Sequence, residues 1–299
     1  MRLSSISSRL QRHIVGVGLE KCGTTTAHNI LATSPIISTP NPKETFFFSR
    51  DYSKGIDAYK QLYTVDEGMK YLLDITPSYH NNPVCYKRIV DFSDRPIVLL
   101  FLRDPIHRAF SFYRHDILLH YSQGDRTEGA EKSIFDMPFN KGFIEFASSF
   151  NYYFVDFAKL IGNVRDHFEP ENTVLVYFDE LKSGGFVRRI ENIAGESLGV
   201  RFDNVWSNQQ RLPLYEIRNE DNTDYLVLKR AGFREKKWKV AELGEKKVIR
   251  VLEASQRWTQ FLRISDYRII KKRLYEAVDF PSLGLDKDRI FEEKDLFLA

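Results

Sequence analysis

The chain has 299 residues, 42% of them hydrophobic, and a formal net charge of +3. That is enough apolar material for a sizeable core, and the near balance of charge excludes a global pull on nucleic acid. No stretch reaches the roughly 20 apolar residues of a membrane-spanning helix, which predicts no stable membrane insertion.

The first ten residues lack the apolar core of a signal peptide. The short apolar run Ile14-Val15-Gly16-Val17 then reads as a buried strand. It breaks into Gly18-Leu19-Glu20-Lys21-Cys22-Gly23-Thr24-Thr25-Thr26. A helix pattern follows, with Ala27, Ile30 and Leu31 at helical spacing before Ser34-Pro35 stops it. A strand, a tight loop and a helix start together make an anion site. The first N–H groups of a helix lack internal partners, and the helix dipole is positive there. Lys21 adds a full charge, and the threonine hydroxyls add donors. The spacing departs from a P-loop, G-x-x-x-x-G-K-[ST]: Gly18 and Gly23 keep the glycines, but Thr24 stands where the lysine belongs. It also departs from G-x-G-x-x-G, because Lys21 takes the last glycine position. A plain strand-to-helix turn, glycine-rich for backbone reasons, fits the segment as well.

Two short elements come next, Pro42-Lys43-Glu44-Thr45-Phe46-Phe47-Phe48 and Asp74-Ile75-Thr76-Pro77-Ser78-Tyr79. From the residues alone, Glu44 reads as a surface carboxylate paired with Lys43. The run Pro96-Ile97-Val98-Leu99-Leu100-Phe101-Leu102 is continuously apolar, as in a parallel strand buried on both faces. It ends in Arg103-Asp104-Pro105, where Asp104 can cap a helix and Pro105 suits its first turn. Arg103 thus emerges at the carboxyl end of a central strand, where open α/β sheets bind ligands. Its planar fork suits a second phosphate. Ser111 lies two turns along the helix.

Residues 120–150 are polar and contain glycines. Residues 151–168 read as a helix, Val174–Tyr177 as a strand and 183–198 as a helix. Arg211, in the polar stretch 208–213, is a candidate for a late loop over a nucleotide. Residues 226–275 carry the charge runs 234–239 and 245–247, which read as solvated helix faces. The tail from Asp279 reads as an arm that packs on the rest.

The Lys21 loop and the stretch from Leu102-Arg103-Asp104-Pro105 to Ser111 and Tyr113 resemble the two nucleotide motifs of sulfotransferases that use 3′-phosphoadenosine 5′-phosphosulfate (PAPS). Lys43-Glu44-Thr45-Phe46-Phe47-Phe48 is similar to a K-E-x-H-F-F element, and Thr76-Pro77-Ser78-Tyr79 to an S/T-P-x-Y element, of the heparan sulfate-type carbohydrate sulfotransferases and their bacterial relatives. The resemblance runs over about residues 12–182. It implies an α/β fold, three-layer and P-loop-like, with a central parallel sheet flanked by helices. It implies a single sulfotransferase domain over 1–299, with a nucleotide-binding and catalytic core at 12–200 and a mostly helical extension at 201–299. Lys21 would contact the 5′-phosphosulfate, with the backbone of Cys22, Gly23, Thr24, Thr25 and Thr26 around the same phosphate. Arg103 and Ser111 would hold the 3′-phosphate. Glu44 would be the general base, with His80 its rival. Where many relatives have glycine, this chain has Cys22, which would crowd the loop or make it oxidisable.

The expected reaction moves a sulfuryl group in line from PAPS to a hydroxyl of a carbohydrate or glycolipid, leaving adenosine 3′,5′-bisphosphate (PAP), with no metal and no nucleic acid. The alternatives are a Mg-dependent nucleotide or small-molecule kinase of P-loop type, and a PAPS-binding protein without activity. Cys22 and Cys85 are the only cysteines, and one sits in the phosphate loop. That argues against a structural disulfide and for a reducing compartment. A cytoplasmic, bacterial protein is expected; a Golgi-lumen location would require the chain to be cut from a longer one. The acceptor, the position sulfated and the oligomeric state do not follow from the sequence.

Overall fold

The computed structural model describes residues 12–112, 154–202, 214–229, 236–244, 248 and 264–291. Residues 120–150, Arg211 and the charge run 245–247 lie outside the described residues, as does the start of the helix expected at 151–168. The chain divides into two compact units. The first comprises 1–108, 155–208 and 279–292; the second comprises 109–154, 209–278 and 293–299.

The first unit holds five parallel strands: β1 (Arg12–Gly18), β2 (Ile37–Ser38), β3 (Tyr71–Ile75), β4 (Ile97–Leu102) and β5 (Thr173–Tyr177). Their order in the sheet is β2-β3-β1-β4-β5. All six residues of β4 are buried, as its unbroken apolar run demands of a strand covered on both faces. On β5, at the sheet edge, Val174 and Val176 are buried while Thr173 and Leu175 are partly exposed, the period-2 alternation of a half-covered strand. Helices flank the sheet: α1 (Thr24–Leu31), α2 (Ile56–Lys60), α3 (Val84–Phe92), α4 (residues 105–112, its first turn in this unit), α5 (Phe157–Arg165) and α6 (Gly185–Ala194). The expected parallel sheet flanked by helices is therefore present.

Register fixes the site. Val15 pairs with Asp74 on β3 and with Val98 on β4, so the carboxyl ends of the three central strands finish side by side. Between Gly16 and Gly18 the pairing with β4 slips by one residue, and the chain leaves the sheet into the Lys21 loop. The tail packs back on this unit. Arg289 bonds Asp179 at 3.0 Å and lies 4.0 Å over the Tyr177 ring, and Phe280 stacks edge-on against Phe157.

The second unit contains an antiparallel sheet of β6 (Leu214–Glu220), β7 (Thr223–Lys229) and β8 (Lys236–Lys239). Asp221 and Asn222 both take positive φ, the two-residue turn that matches strand twist in a hairpin. Helices α7 (Val240–Leu243) and α8 (Ile264–Tyr275) follow, and α9 (Lys287–Ile290) belongs to the first unit. Lys236–Lys239 is thus a strand where the charge run reads as a helix face. On β8 the partly covered Trp238 alternates with exposed Lys237 and Lys239, a period of two that a run of lysines hides.

Candidate active site

The loop between β1 and α1 is shaped by backbone handedness and by two arginines. Lys21 and Gly23 take φ of 65° and 83°. Gly23 is the residue before α1, and a Cβ there would lie 2.2 Å from Leu181 Cδ1, so both its φ and its surroundings demand glycine. The N-cap residue Gly23 has no side chain to cap α1, and no acidic residue sits in its first turn. The leading N–H groups from Thr24 onward are therefore left for an anion.

Asp104 caps α4: its Oδ1 accepts from the N–H of Ile106 at 2.8 Å and of His107 at 3.0 Å. That cap sets the direction of the arginines on either side. Arg103 Nη1 donates to the Lys21 carbonyl at 3.0 Å, and its guanidinium lies 4.2 Å over the Phe178 ring. Arg108, 4% exposed, donates from Nε to the Glu20 carbonyl at 2.9 Å and from Nη2 to Glu20 Oε2 at 3.2 Å. Consecutive loop carbonyls are thus held by two cations from one helix start. Cys22 is fully buried beneath them, and burial pushes its thiol up to about 12 against the pull of Arg108 and Arg103. A buried thiol held protonated is a poor nucleophile.

His80 packs on the other side of the loop. A Cβ on Gly18 would stand 2.9 Å from His80 Cβ, so the close approach depends on that glycine. His80 Nδ1 lies 2.8 Å from the Pro77 carbonyl, which can only accept, so Nδ1 carries the proton and Nε2 keeps its lone pair. Burial holds its pKa below the ordinary histidine value, with Glu20 opposing. Glu20 Oε2 is 3.6 Å from Nδ1, and Asn81 Nδ2 donates to Oε1 at 3.4 Å.

Lys43 Nζ lies 3.2 Å from Glu44 Oε1, with the two side chains 25% and 37% exposed. This is the ion pair a plain surface reading expects, yet the pair does not stand alone. Lys43 lies near enough to α1 for its charge to join burial in lowering His28 to about 4. The structure brings Lys21, Cys22 to Thr26 and Arg103 together, pairs Glu44 with Lys43, and places Ser111 on α4 in the second unit.

Sequence reasoning missed Glu20, Arg108 and Phe178 at this site. Arg108 sits five residues past Arg103 on a helix whose capped start was legible. Nothing in the sequence, however, says that its guanidinium turns back onto the loop rather than out to solvent.

No protein-family model matches the chain. Over 108 residues it is 32% identical to the membrane-associated sulfotransferase kil1 of Dictyostelium discoideum, a match covering 35% of this chain and 23% of that one. Over 115 residues it is 30% identical to the human bifunctional heparan sulfate N-deacetylase/N-sulfotransferase 2, covering 36% of this chain and 13% of that one. Both relatives carry sulfotransferase in their names. The match spans less than a quarter of the length of these curated sulfotransferase relatives. Among solved structures, a sulfotransferase from Alicyclobacillus acidocaldarius is 22% identical with a TM-score of 0.48, covering 68% of this chain and 87% of that one.

Proposed function

We propose that the chain is a PAPS-dependent sulfotransferase acting on a hydroxyl of a carbohydrate-type acceptor. The observation that carries the reading is the 3.0 Å hydrogen bond from Arg103 to the Lys21 carbonyl, beside a helix start whose N-cap residue is glycine. Two cationic side chains from neighbouring strand ends suit a ligand with two separate anionic groups, and a nucleotide bearing phosphates at both 3′ and 5′ positions is such a ligand. The sequence relatives carry sulfotransferase names, and the human one is named for heparan sulfate, which supports a polysaccharide acceptor.

Bound PAPS supplies an activated sulfuryl group. Lys21 and the N–H groups of residues 22–26 stabilise the charge that develops on the leaving phosphate oxygen. Arg103, and Ser111 from further along α4, hold the 3′-phosphate, which distinguishes this nucleotide from ATP. Glu44 takes the proton of the acceptor hydroxyl as the acceptor oxygen bonds sulfur and the bond from sulfur to the phosphate oxygen breaks. A positioned base of this kind contributes on the order of 10²–10⁴-fold. No metal enters the proposal.

A second reading gives the proton to His80. It is favoured by the Nδ1–H tautomer that Pro77 imposes, which leaves Nε2 able to accept. The test incubates the full chain with sulfur-labelled PAPS and heparosan, N-deacetylated heparosan or a neutral glycolipid. Label on heparosan supports a hydroxyl acceptor, and label only on the N-deacetylated form redirects the reading to nitrogen. Glu44→Gln is expected to lose about 10²-fold or more in turnover while PAP binding persists. If Glu44→Gln keeps its turnover and His80→Asn loses it, the base is His80.

A further inference from the structure

The motif Asp74-Ile75-Thr76-Pro77-Ser78-Tyr79 has no catalytic role in this mechanism, and neither does Thr45. Yet these residues converge on one buried carboxylate. Asp74 is fully buried at the end of β3. Its Oδ2 accepts from Thr45 Oγ1 at 2.7 Å, from the Tyr79 hydroxyl at 2.9 Å and from the Tyr59 hydroxyl at 3.2 Å. Its Oδ1 accepts from Thr76 Oγ1 at 2.7 Å. Thr45 is fixed a second time through its backbone, whose N–H donates to Thr76 Oγ1 at 3.1 Å, and its own hydroxyl accepts from the N–H of Phe47 at 3.1 Å.

The Tyr59 and His13 protons follow from this carboxylate. Tyr59 has one hydroxyl proton, and it goes to Asp74. His13 Nε2, 2.8 Å from the Tyr59 oxygen, must then be the donor in that contact. Tyr63 donates to the same oxygen at 2.8 Å, with the Leu73 carbonyl a longer second acceptor at 3.3 Å. This assignment leaves only the bare lone pair of His13 Nδ1 without a partner, whereas the opposite one would bury an unpaired N–H.

The cluster has a direction. Thr45 follows Glu44, and Thr76 and Tyr79 belong to the turn that carries His80. We propose that Asp74 is a positioning residue for sulfuryl transfer: it clamps the Glu44 turn to the Thr76–Tyr79 turn and so fixes the base relative to the Lys21 loop. A single carboxylate suits the task because it offers enough lone pairs to accept from four hydroxyls at once. An amide at the same place presents N–H groups to hydroxyls that are set to donate. The inference rests on the sulfotransferase reading with Glu44 as base.

The test uses the full chain and two probes that need no identified acceptor. One is PAP binding by calorimetry. The other is release of labelled sulfate from PAPS, in which water stands in for the acceptor: its oxygen bonds sulfur, its proton goes to the base, and PAP leaves. Thr45→Val removes the side-chain tie to Asp74 without touching Glu44, and leaves the backbone bond to Thr76 in place. Its turnover is expected to fall about tenfold or more, since small misplacements of catalytic groups are costly. Its PAP affinity should stay within about twofold, the signature of a loss confined to the chemical step. Thr45→Ser restores the hydroxyl and should recover turnover to within about threefold. Asp74→Asn should fall at least as far as Thr45→Val; if it does not fold, the Thr45 pair decides.

Wild-type turnover in Thr45→Val, or a loss that Thr45→Ser does not rescue, overturns the positioning role while leaving the sulfotransferase reading intact. Turnover that survives Glu44→Gln removes the base reading, and this inference with it. Wild-type protein that fails to bind PAP removes both at their root.

Discussion

Replacing Gly23 by alanine tests how the phosphate loop is built. Gly23 has φ +83°, and a Cβ there would stand 2.2 Å from Leu181 Cδ1 and 3.2 Å from two carbons of the Phe178 ring. Two costs add. A non-glycine residue in the left-handed region costs roughly 1–2 kcal/mol. Forcing a methyl into a packed site costs typically 1–3 kcal/mol more. The expected loss is therefore about 2–5 kcal/mol, and at roughly 2–4 °C per kcal/mol a melting temperature lowered by about 4–20 °C. Gly195 supplies the control. It too is left-handed, at φ +75°, but nothing lies within 4 Å of its Cβ position. Gly195→Ala should lose only the backbone part, about 1–2 kcal/mol. Phe178 also lies under Arg103, so the displaced ring disturbs the second anion group, and PAP affinity should fall in Gly23→Ala but not in Gly195→Ala. Differential scanning calorimetry with PAP titration on both variants reads this out. Equal melting temperatures and equal PAP affinities in the two would refute the reasoning.

Arg108→Met should cost about 1–3 kcal/mol, below the 3–5 of a fully buried broken pair because Glu20 keeps 22% of its side-chain exposure. Adding Glu20→Gln should return part of the loss, a non-additivity that a double-mutant cycle by chemical denaturation measures. His13 and His28 are held neutral by burial, at about 3 and about 4, with Lys43 adding to the depression of His28. Unfolded histidine titrates near 6.5, so their contribution is complete above that pH and is lost as pH falls toward the folded values. The loss is about 1.4 kcal/mol per pH unit for each histidine. Asp74, pushed upward by burial, acts in the opposite sense, so the comparison of slopes isolates each histidine. His80 is depressed as well, so His13→Gln should flatten the slope between pH 6 and 4.5 by at most about 1.4 kcal/mol per pH unit, measured by urea denaturation at each pH; an unchanged slope would contradict the buried, neutral state of His13.

Much of this site was legible because its signals are local. Glycine, lysine and threonine between an apolar run and a helix start announce an anion loop, and Arg103-Asp104-Pro105 announces a capped helix at a strand end. The cap on Asp104 and the burial of β4 follow from those residues alone. Other features depend on which residues meet across the fold. Asp74 looks like any strand-end aspartate until Thr45, Tyr59 and Tyr79 arrive from three other segments. Arg108 carries no distinguishing signal in the sequence, and its guanidinium turns back on Glu20. Phe178 and Leu181 are distant in sequence from the loop they floor. The sheet β6–β8 hid behind a charged composition, since lysines on alternate positions of β8 obscure its period of two.

The measurement closest to the central claim is a calorimetric titration of the full chain with adenosine 3′,5′-bisphosphate in EDTA, beside adenosine 5′-phosphate, ATP and the Arg103→Lys variant. The account predicts metal-independent binding of the bisphosphate, at least about tenfold weaker binding when the 3′-phosphate is absent or when Arg103 loses its planar fork, and no tight binding of ATP. Equal affinity for the mono- and bisphosphate, or binding that appears only when Mg²⁺ and ATP are supplied, would contradict it.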